Sequence, residues 1–171
     1  LRAIAQFERT ILSGNSKYDR YVRGQATLTP QELNGMQVFQ AASKGDCTHC
    51  HTLGGMFTDF AYRNNGLDSI PADSGRYLIP PHAVTDVAKF KTPSLRNIAL
   101  TAPYMHDGRF TTLQQVMDHY NTGFHYVFNL DQTLQLAVKG RMNQQEMDDV
   151  IAFLHTLTDD DLATNPAYGH P

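Results

Sequence analysis

Tryptophan is absent from these 171 residues, cysteine occurs twice, and no apolar run approaches the length of a membrane-spanning helix. An excess of positive charge is missing too: 14 Lys and Arg stand against 17 Asp and Glu, for a net charge of −3 and an isoelectric point near 6.2. That balance argues against a nucleic-acid partner and against an anionic membrane surface. No basic-then-apolar leader opens the chain. There are no internal repeats and no low-complexity tract. The lack of tryptophan and the mean hydropathy of −0.40 predict a small core with many loops. The length suits one domain with a core of its own.

Both cysteines fall within five residues, Cys47-Thr48-His49-Cys50-His51. The pattern C-x-x-C-H is the attachment site of a c-type haem. Both thiols add to haem vinyl groups, and the adjacent His51 is placed to bind iron from the proximal side. A redox C-x-x-C pair usually lies beside a βαβ pattern, and none is visible. A zinc site would need Cys47, Cys50 and two histidines, but the other histidines are scattered. A disulfide would leave His51 unexplained, whereas haem accounts for all three residues. His49 reads as an exposed spacer. Covalent haem predicts assembly outside the cytoplasm, in the periplasm or another extracytoplasmic space, with a leader removed or outside this chain. It also gives a loop-rich chain an apolar centre.

The chain opens in a helical stripe, Leu1, Ile4, Ala5, Phe7, Glu8, Ile11 and Leu12, stopped by Ser13-Gly14-Asn15-Ser16. Tyr18, Tyr21 and Val22 form a short amphipathic connector. Thr29-Pro30-Gln31-Glu32 is a capping box with proline at the first helical position. The helix it opens has Leu33, Met36, Val38 and Phe39 on its buried face and runs to about Lys44-Gly45. Residues 53–90 show turn signals and no long period, which predicts a long functional loop over the haem or a partner domain. Ser94 to Leu100 reads as a short helix with Ser94 as cap. A longer one runs from Thr111 or Thr112 to about Asn121. Asn143-Gln144-Gln145-Glu146 opens the last helix, with Met147, Val150, Ile151, Leu154 and Leu157 inward. The class is mainly α, with long loops and a surface tail after Asp159.

The donor opposite His51 decides the chemistry. A thioether raises the potential, a phenolate favours oxidised iron, and an open position admits oxygen or peroxide. Met36, Met117 and Met147 lie at core spacing, while Met105 and Met142 lie in or beside loops. Tyr104, Tyr120 and Tyr126 are the relevant phenols. Residue type and spacing leave the choice open.

The stretch from Phe90-Lys91-Thr92-Pro93-Ser94-Leu95-Arg96 through Asn97-Ile98-Ala99-Leu100-Thr101-Ala102-Pro103-Tyr104-Met105-His106-Asp107-Gly108 closely resembles the bacterial dihaem cytochrome c peroxidase and MauG family. So do Phe7-Glu8-Arg9-Thr10-Ile11 with Ser13-Gly14-Asn15-Ser16, the C-x-x-C-H segment, Phe57-Thr58-Asp59, Asn65-Gly66-Leu67 and Ile151-Ala152-Phe153-Leu154-His155-Thr156-Leu157-Thr158. The resemblance covers nearly the whole chain and matches the C-terminal haem domain of such proteins. It implies a cytochrome c-like domain over residues 29–160. Before it, 1–28 would be a helix and connector from a preceding haem domain absent here; 161–171 would be a surface tail. In that family the distal ligand comes from the helix after His-Asp-Gly, Met in peroxidases and Tyr in MauG-like proteins. Aligning Thr112-Leu113-Gln114-Gln115 with that helix start puts Tyr120 at the position. Met117 would need a shifted register to take its place. Met105 as ligand, or a position left open, would also satisfy the iron.

The same resemblance implies calcium held by the carbonyls of Thr101 and Pro103 beside an Asn of the other domain. It places His106 near the interdomain region and makes Arg96 and Lys91 candidates for haem propionates. Where many relatives carry His before Asn64, this chain has Arg63. The function implied is an electron-relaying, charge-storing half of a peroxide-dependent oxidoreductase. A small redox protein would serve as its electron donor or acceptor. The rival reading is a stand-alone monohaem electron-transfer module.

Overall fold

The computed structural model describes residues 2–168. Leu1, part of the opening stripe, and residues 169–171 of the expected tail lie outside the described residues. The architecture is helical, with helices α1 to α7 in chain order and one two-stranded ribbon. No helix among the described residues is long and apolar enough to cross a membrane.

Helix α1, Arg2–Glu8, stops short of the predicted Leu12, and none of its residues is buried. Its stripe stays largely exposed at Ile4, Phe7, Ile11 and Leu12, with Phe7 edge-on to Tyr168 at 6.2 Å. The connector that follows is itself a helix, α2, Lys17–Val22. Ser16 caps it and Asp19 reaches back to the Ser16 amide. Tyr18 on α2 belongs to the core, its ring edge-on to Phe57 at 5.3 Å and to Phe153 at 5.6 Å.

Helix α3, Pro30–Gln40, begins on the predicted Thr29/Glu32 box. It ends before the predicted Lys44-Gly45 because Ala41 turns to extended backbone. The chain then folds back, with the Gly45 amide donating to Val38 O at 3.1 Å. A Cβ on Gly45 would lie 2.7 Å from Val38 O and 3.1 Å from Cys47 Sγ, so only glycine lets the cysteine motif come this close.

Helix α3 packs on α6, Gln144–His155, which opens on the predicted Asn143/Glu146 box. The two backbones touch: a Cβ on Gly35 would lie 1.8 Å from Asp149 O. Val38 and Phe39 from α3 meet Val150, Phe153 and Leu154 from α6, with Leu113 and Met117 of α4 beside them. A second, smaller cluster holds Phe124, Leu130, Leu134 and Ala137, with Tyr120 and Val127 against it.

The 53–90 stretch is less uniform than expected. Strands β1, Tyr62–Arg63, and β2, Phe90–Lys91, pair antiparallel, Tyr62 with Lys91 and Arg63 with Phe90. Single 3-10 turns form at Arg76–Leu78 and Val84–Asp86. The helix expected from Ser94 shrinks to a 3-10 turn, Ile98–Leu100, because Asn97 sits in the left-handed region at φ 59°. Helix α4, Leu113–Asp118, has the expected Thr112 cap but gives way to a π turn, His119–Gly123. Helices α5, Gln132–Gln135, and α7, Asp160–Thr164, were not anticipated, being too short to show a stripe.

Candidate haem site

The motif starts where Asp46, in the left-handed region at φ 49°, turns the chain into a 3-10 turn over Cys47–His49. The His51 amide closes on Cys47 O at 2.8 Å. This brings Cys47, Cys50 and His51 together at one edge of the core, and Cys47 packs directly on it. The cysteines are unpaired thiols. Burial pushes both up to about 12, so they are neutral near pH 7. The buried site favours neutral sulfur over a free thiolate. A thioether, which carries no charge, suits it. Among the described residues no group of three or more His, Cys, Asp or Glu gathers in a metal-binding cluster. The residues therefore fit covalent haem rather than zinc.

His51 is oriented by a backbone carbonyl. Its Nδ1 lies 3.0 Å from Phe57 O, and because a carbonyl only accepts, Nδ1 carries the hydrogen. Burial pulls the imidazole below its ordinary value, against the opposing pull of the Phe57 and Pro93 carbonyls. The ring is then neutral, with the Nε2 lone pair free for iron, the orienting arrangement typical of ligating histidines. Phe57 is fully buried and sits at φ 51°, uncommon for a large side chain. Its amide donates to Gly54 O at 3.2 Å. The Gly54-Gly55 turn thus aims the carbonyl that aims the ligand.

Near the same cysteines, Asn65 Nδ2 lies 3.4 Å from Tyr120 Oη and 3.5 Å from Met105 Sδ. Burial pushes the Tyr120 phenol above its ordinary value, the Asn65 amide draws it back, and Cys50 and Cys47 lie near enough to act on it. The π turn carries Tyr120. Such turns often mark functional positions in helices. The remaining candidates are placed elsewhere. Met117, Met142 and Met147 are buried in the main core and Met36 packs against it. Tyr104 Oη donates to Ile98 O at 3.0 Å, and Tyr126 is exposed.

The other expected residues do not converge on this point. His106 is exposed and stacks on Phe90, ring centroids 3.7 Å apart. Lys91 is exposed, its ammonium 5.0 Å from the centre of the Phe60 ring. The propionate role expected of Arg96 meets a competitor. Its Nη1 and Nη2 donate to Asp19 at 2.9 and 3.0 Å and its Nε to Gly55 O at 2.7 Å. The guanidinium therefore ties α2 to the Gly54-Gly55 turn instead of standing free. Thr101 and Pro103 lie exposed in one turn, with Thr101 Oγ1 donating to Ile98 O.

Sequence reasoning gave no role to Phe57 or Asn65. It noted Arg63 only as a departure. Arg63 bridges Asp59 and Asp131 beside Cys50, fastening the loop after the motif to the start of α5. The one signal for Asn65 was its place in the Asn65-Gly66-Leu67 segment.

The chain matches the cytochrome c family model over residues 32–158. Methylamine utilization protein MauG of Methylophilus methylotrophus is 35% identical over 158 residues, 91% of this chain and 45% of that protein. Cytochrome c peroxidase Ccp of Escherichia coli is 33% identical over 162 residues, 91% of this chain and 31% of its own length. The crystal structure of a MauG-like protein associated with microbial copper homeostasis superposes with a TM-score of 0.89 at 34% identity, covering 99% of this chain and 59% of that one. The diheme peroxidase BthA from Burkholderia thailandensis superposes at 0.73 with 29% identity, over 88% of this chain and 49% of its own. The chain thus spans less than half the length of these two curated relatives.

Proposed function

Since the chain belongs to the cytochrome c family, we propose that it is the electron-relaying, charge-storing haem domain of a dihaem cytochrome c peroxidase or MauG-like oxidoreductase. Covalent haem c follows from that membership; Cys47 and Cys50 would hold it. The observation that supports the proposal is a buried Tyr120 phenol, met by the Asn65 amide at 3.4 Å and near enough to Cys50 and Cys47 to feel them, with His51 anchored on Phe57 O.

When bound, haem supplies a one-electron couple. His51 donates its Nε2 lone pair and is kept in orientation by Phe57 O. Tyr120, as phenolate, is a hard anionic donor that favours the oxidised state. Held by both His51 and Tyr120, the haem would leave the domain storing and passing charge rather than cleaving peroxide. Hydrogen peroxide would be activated at the haem of the missing N-terminal domain, and a small redox protein would exchange electrons with the pair. The Thr101 and Pro103 carbonyls would share a calcium with an Asn of that domain, since calcium takes carbonyl oxygens readily. His106 lies on the same exposed turn. Residues 1–28 would join the two haem domains. The assembly belongs in the periplasm or another extracytoplasmic space. The stand-alone electron-transfer reading gains nothing from the relatives, whose names are peroxidases and MauG.

Ferric-state absorption and EPR spectra test the ligand. Wild type should lack the weak far-red band of methionine ligation, and Tyr120→Phe should change both spectra. An unchanged Tyr120→Phe spectrum would refute the assignment.

A further inference from the structure

One half-buried amide meets both donors that the chain offers opposite His51. The two hydrogens on Asn65 Nδ2 face Tyr120 Oη at 3.4 Å and Met105 Sδ at 3.5 Å. The amide is held in place from its own backbone. Asn65 O accepts from His119 Nε2 at 3.1 Å. On one side Asn64 O accepts from the Asp131 amide at 2.9 Å. On the other, Gly66 at φ 69° lies against His125, whose carbonyl oxygen a Cβ would meet at 2.6 Å. Both side chains it touches come from irregular backbone. Met105 is in the left-handed region at φ 71°, and Tyr120 is on the π turn.

We propose that Asn65 is the positioning residue that selects between these donors, favouring the Tyr120 phenolate over the Met105 thioether in the oxidised protein. The inference rests on Tyr120 being the ligand and deepens that reading. An N–H bond to an anionic oxygen is roughly twice as strong as one to a neutral acceptor, and a thioether sulfur is a weak acceptor. The same amide therefore gains more from bound phenolate than from bound thioether. A hydrogen bond to an ionised group is worth roughly a ten- to hundredfold shift between the two. The exchange would leave Tyr120 as a neutral phenol, its proton taken from water. The Met105 sulfur donates a lone pair in its place. Iron stays ferric and no electron moves.

The test is made on the haem-loaded protein at one fixed pH. Asn65→Leu keeps the size of the side chain and removes both donors. It should diminish the tyrosinate charge-transfer band, bring up the far-red methionine band and raise the reduction potential. Adding Met105→Leu should abolish the far-red band. Asn65→Ser, which retains a hydroxyl donor, should return part of the tyrosinate signal. A wild type without the far-red band whose Asn65→Leu variant keeps the same bands and potential would overturn this inference alone. A far-red band in the wild type, persisting in Tyr120→Phe, would overturn the Tyr120 assignment and this inference with it.

Discussion

On the side of His51, the ligand is turned by the carbonyl of a fully buried phenylalanine, and behind that phenylalanine stand Tyr18, Phe153 and Phe39 in edge-on contact. On the side of Tyr120, an amide in a loop meets a phenol on a π turn, backed by a cluster whose fully buried members are Phe124, Leu130, Leu134 and Ala137. Next to that cluster Tyr126, Phe128, Leu136 and Val138 are exposed. The first half is fixed by packing, which tolerates little movement. The second is fixed by a few polar contacts over a thin apolar floor. The His51 side is thus held rigidly, while the Tyr120 side is left open to tuning by single residues.

Cutting into the packed half should produce the largest loss. Phe153→Ala removes a ring shared by Tyr18 and Phe39, and should cost about 3–5 kcal/mol in denaturant unfolding of the haem-loaded protein. A cost under about 1 kcal/mol would show that the aromatic core does not carry the proximal side.

The Arg96–Asp19 pair should come next. Both side chains are mostly covered, 13% and 12% exposed, and Arg96→Met leaves Asp19 with Ser16 as its remaining partner. The loss should be about 2–3 kcal/mol at neutral pH, below the range for fully buried pairs. Burial works to raise the Asp19 carboxyl, but bonds from Arg96 and Ser16 prevail and hold it below its ordinary 3.8. A lowered folded value stabilises above the unfolded value and ceases to do so as pH falls through the folded one. The gap between wild type and Arg96→Met should therefore be full above pH 3.8 and close below it. A gap unchanged down to the acid transition would show that the pair contributes through packing alone.

The smallest effect belongs to the exposed half. Leu136, 77% exposed, should tolerate Gln within about 0.5 kcal/mol in this chain. If the same change in a full-length protein cost more than about 1 kcal/mol, this face would be one that another domain covers.

Much of the packed half was legible in the chain. The capping pairs Thr29 with Glu32 and Asn143 with Glu146 are local, three residues apart, and each opens the helix its spacing predicts, while of the two candidate caps Thr111 and Thr112 it is Thr112 that opens α4. C-x-x-C-H is likewise a short-range pattern. The other half was legible only in outline. Tyr120 came from a register shared with relatives, but the amide it meets lies 55 residues earlier, and no spacing rule links them. Asn97 stops a helix by entering the left-handed region, which asparagine tolerates but does not by itself announce. Arg96 reads as a free charge until the fold brings Asp19, 77 residues away in sequence, against it. Two-residue strands and four-residue helices leave no period to detect.

The π turn at His119–Gly123 bears on how ligand identity is written in the chain. Its closing bond runs from the Phe124 amide to His119 O, five residues back, so the turn holds one residue more than an α ladder has rungs. Each residue along an α-helix turns the side chain by about 100°. The spare residue works as an angular offset: Met117, on the regular rungs before it, points into the core, while Tyr120, within it, reaches the amide. Which side chain faces Asn65 is thus set by where the ladder is miscounted, as well as by which letter stands at each position. Insertion or deletion of a single residue there would re-address the site with every side chain left as it is.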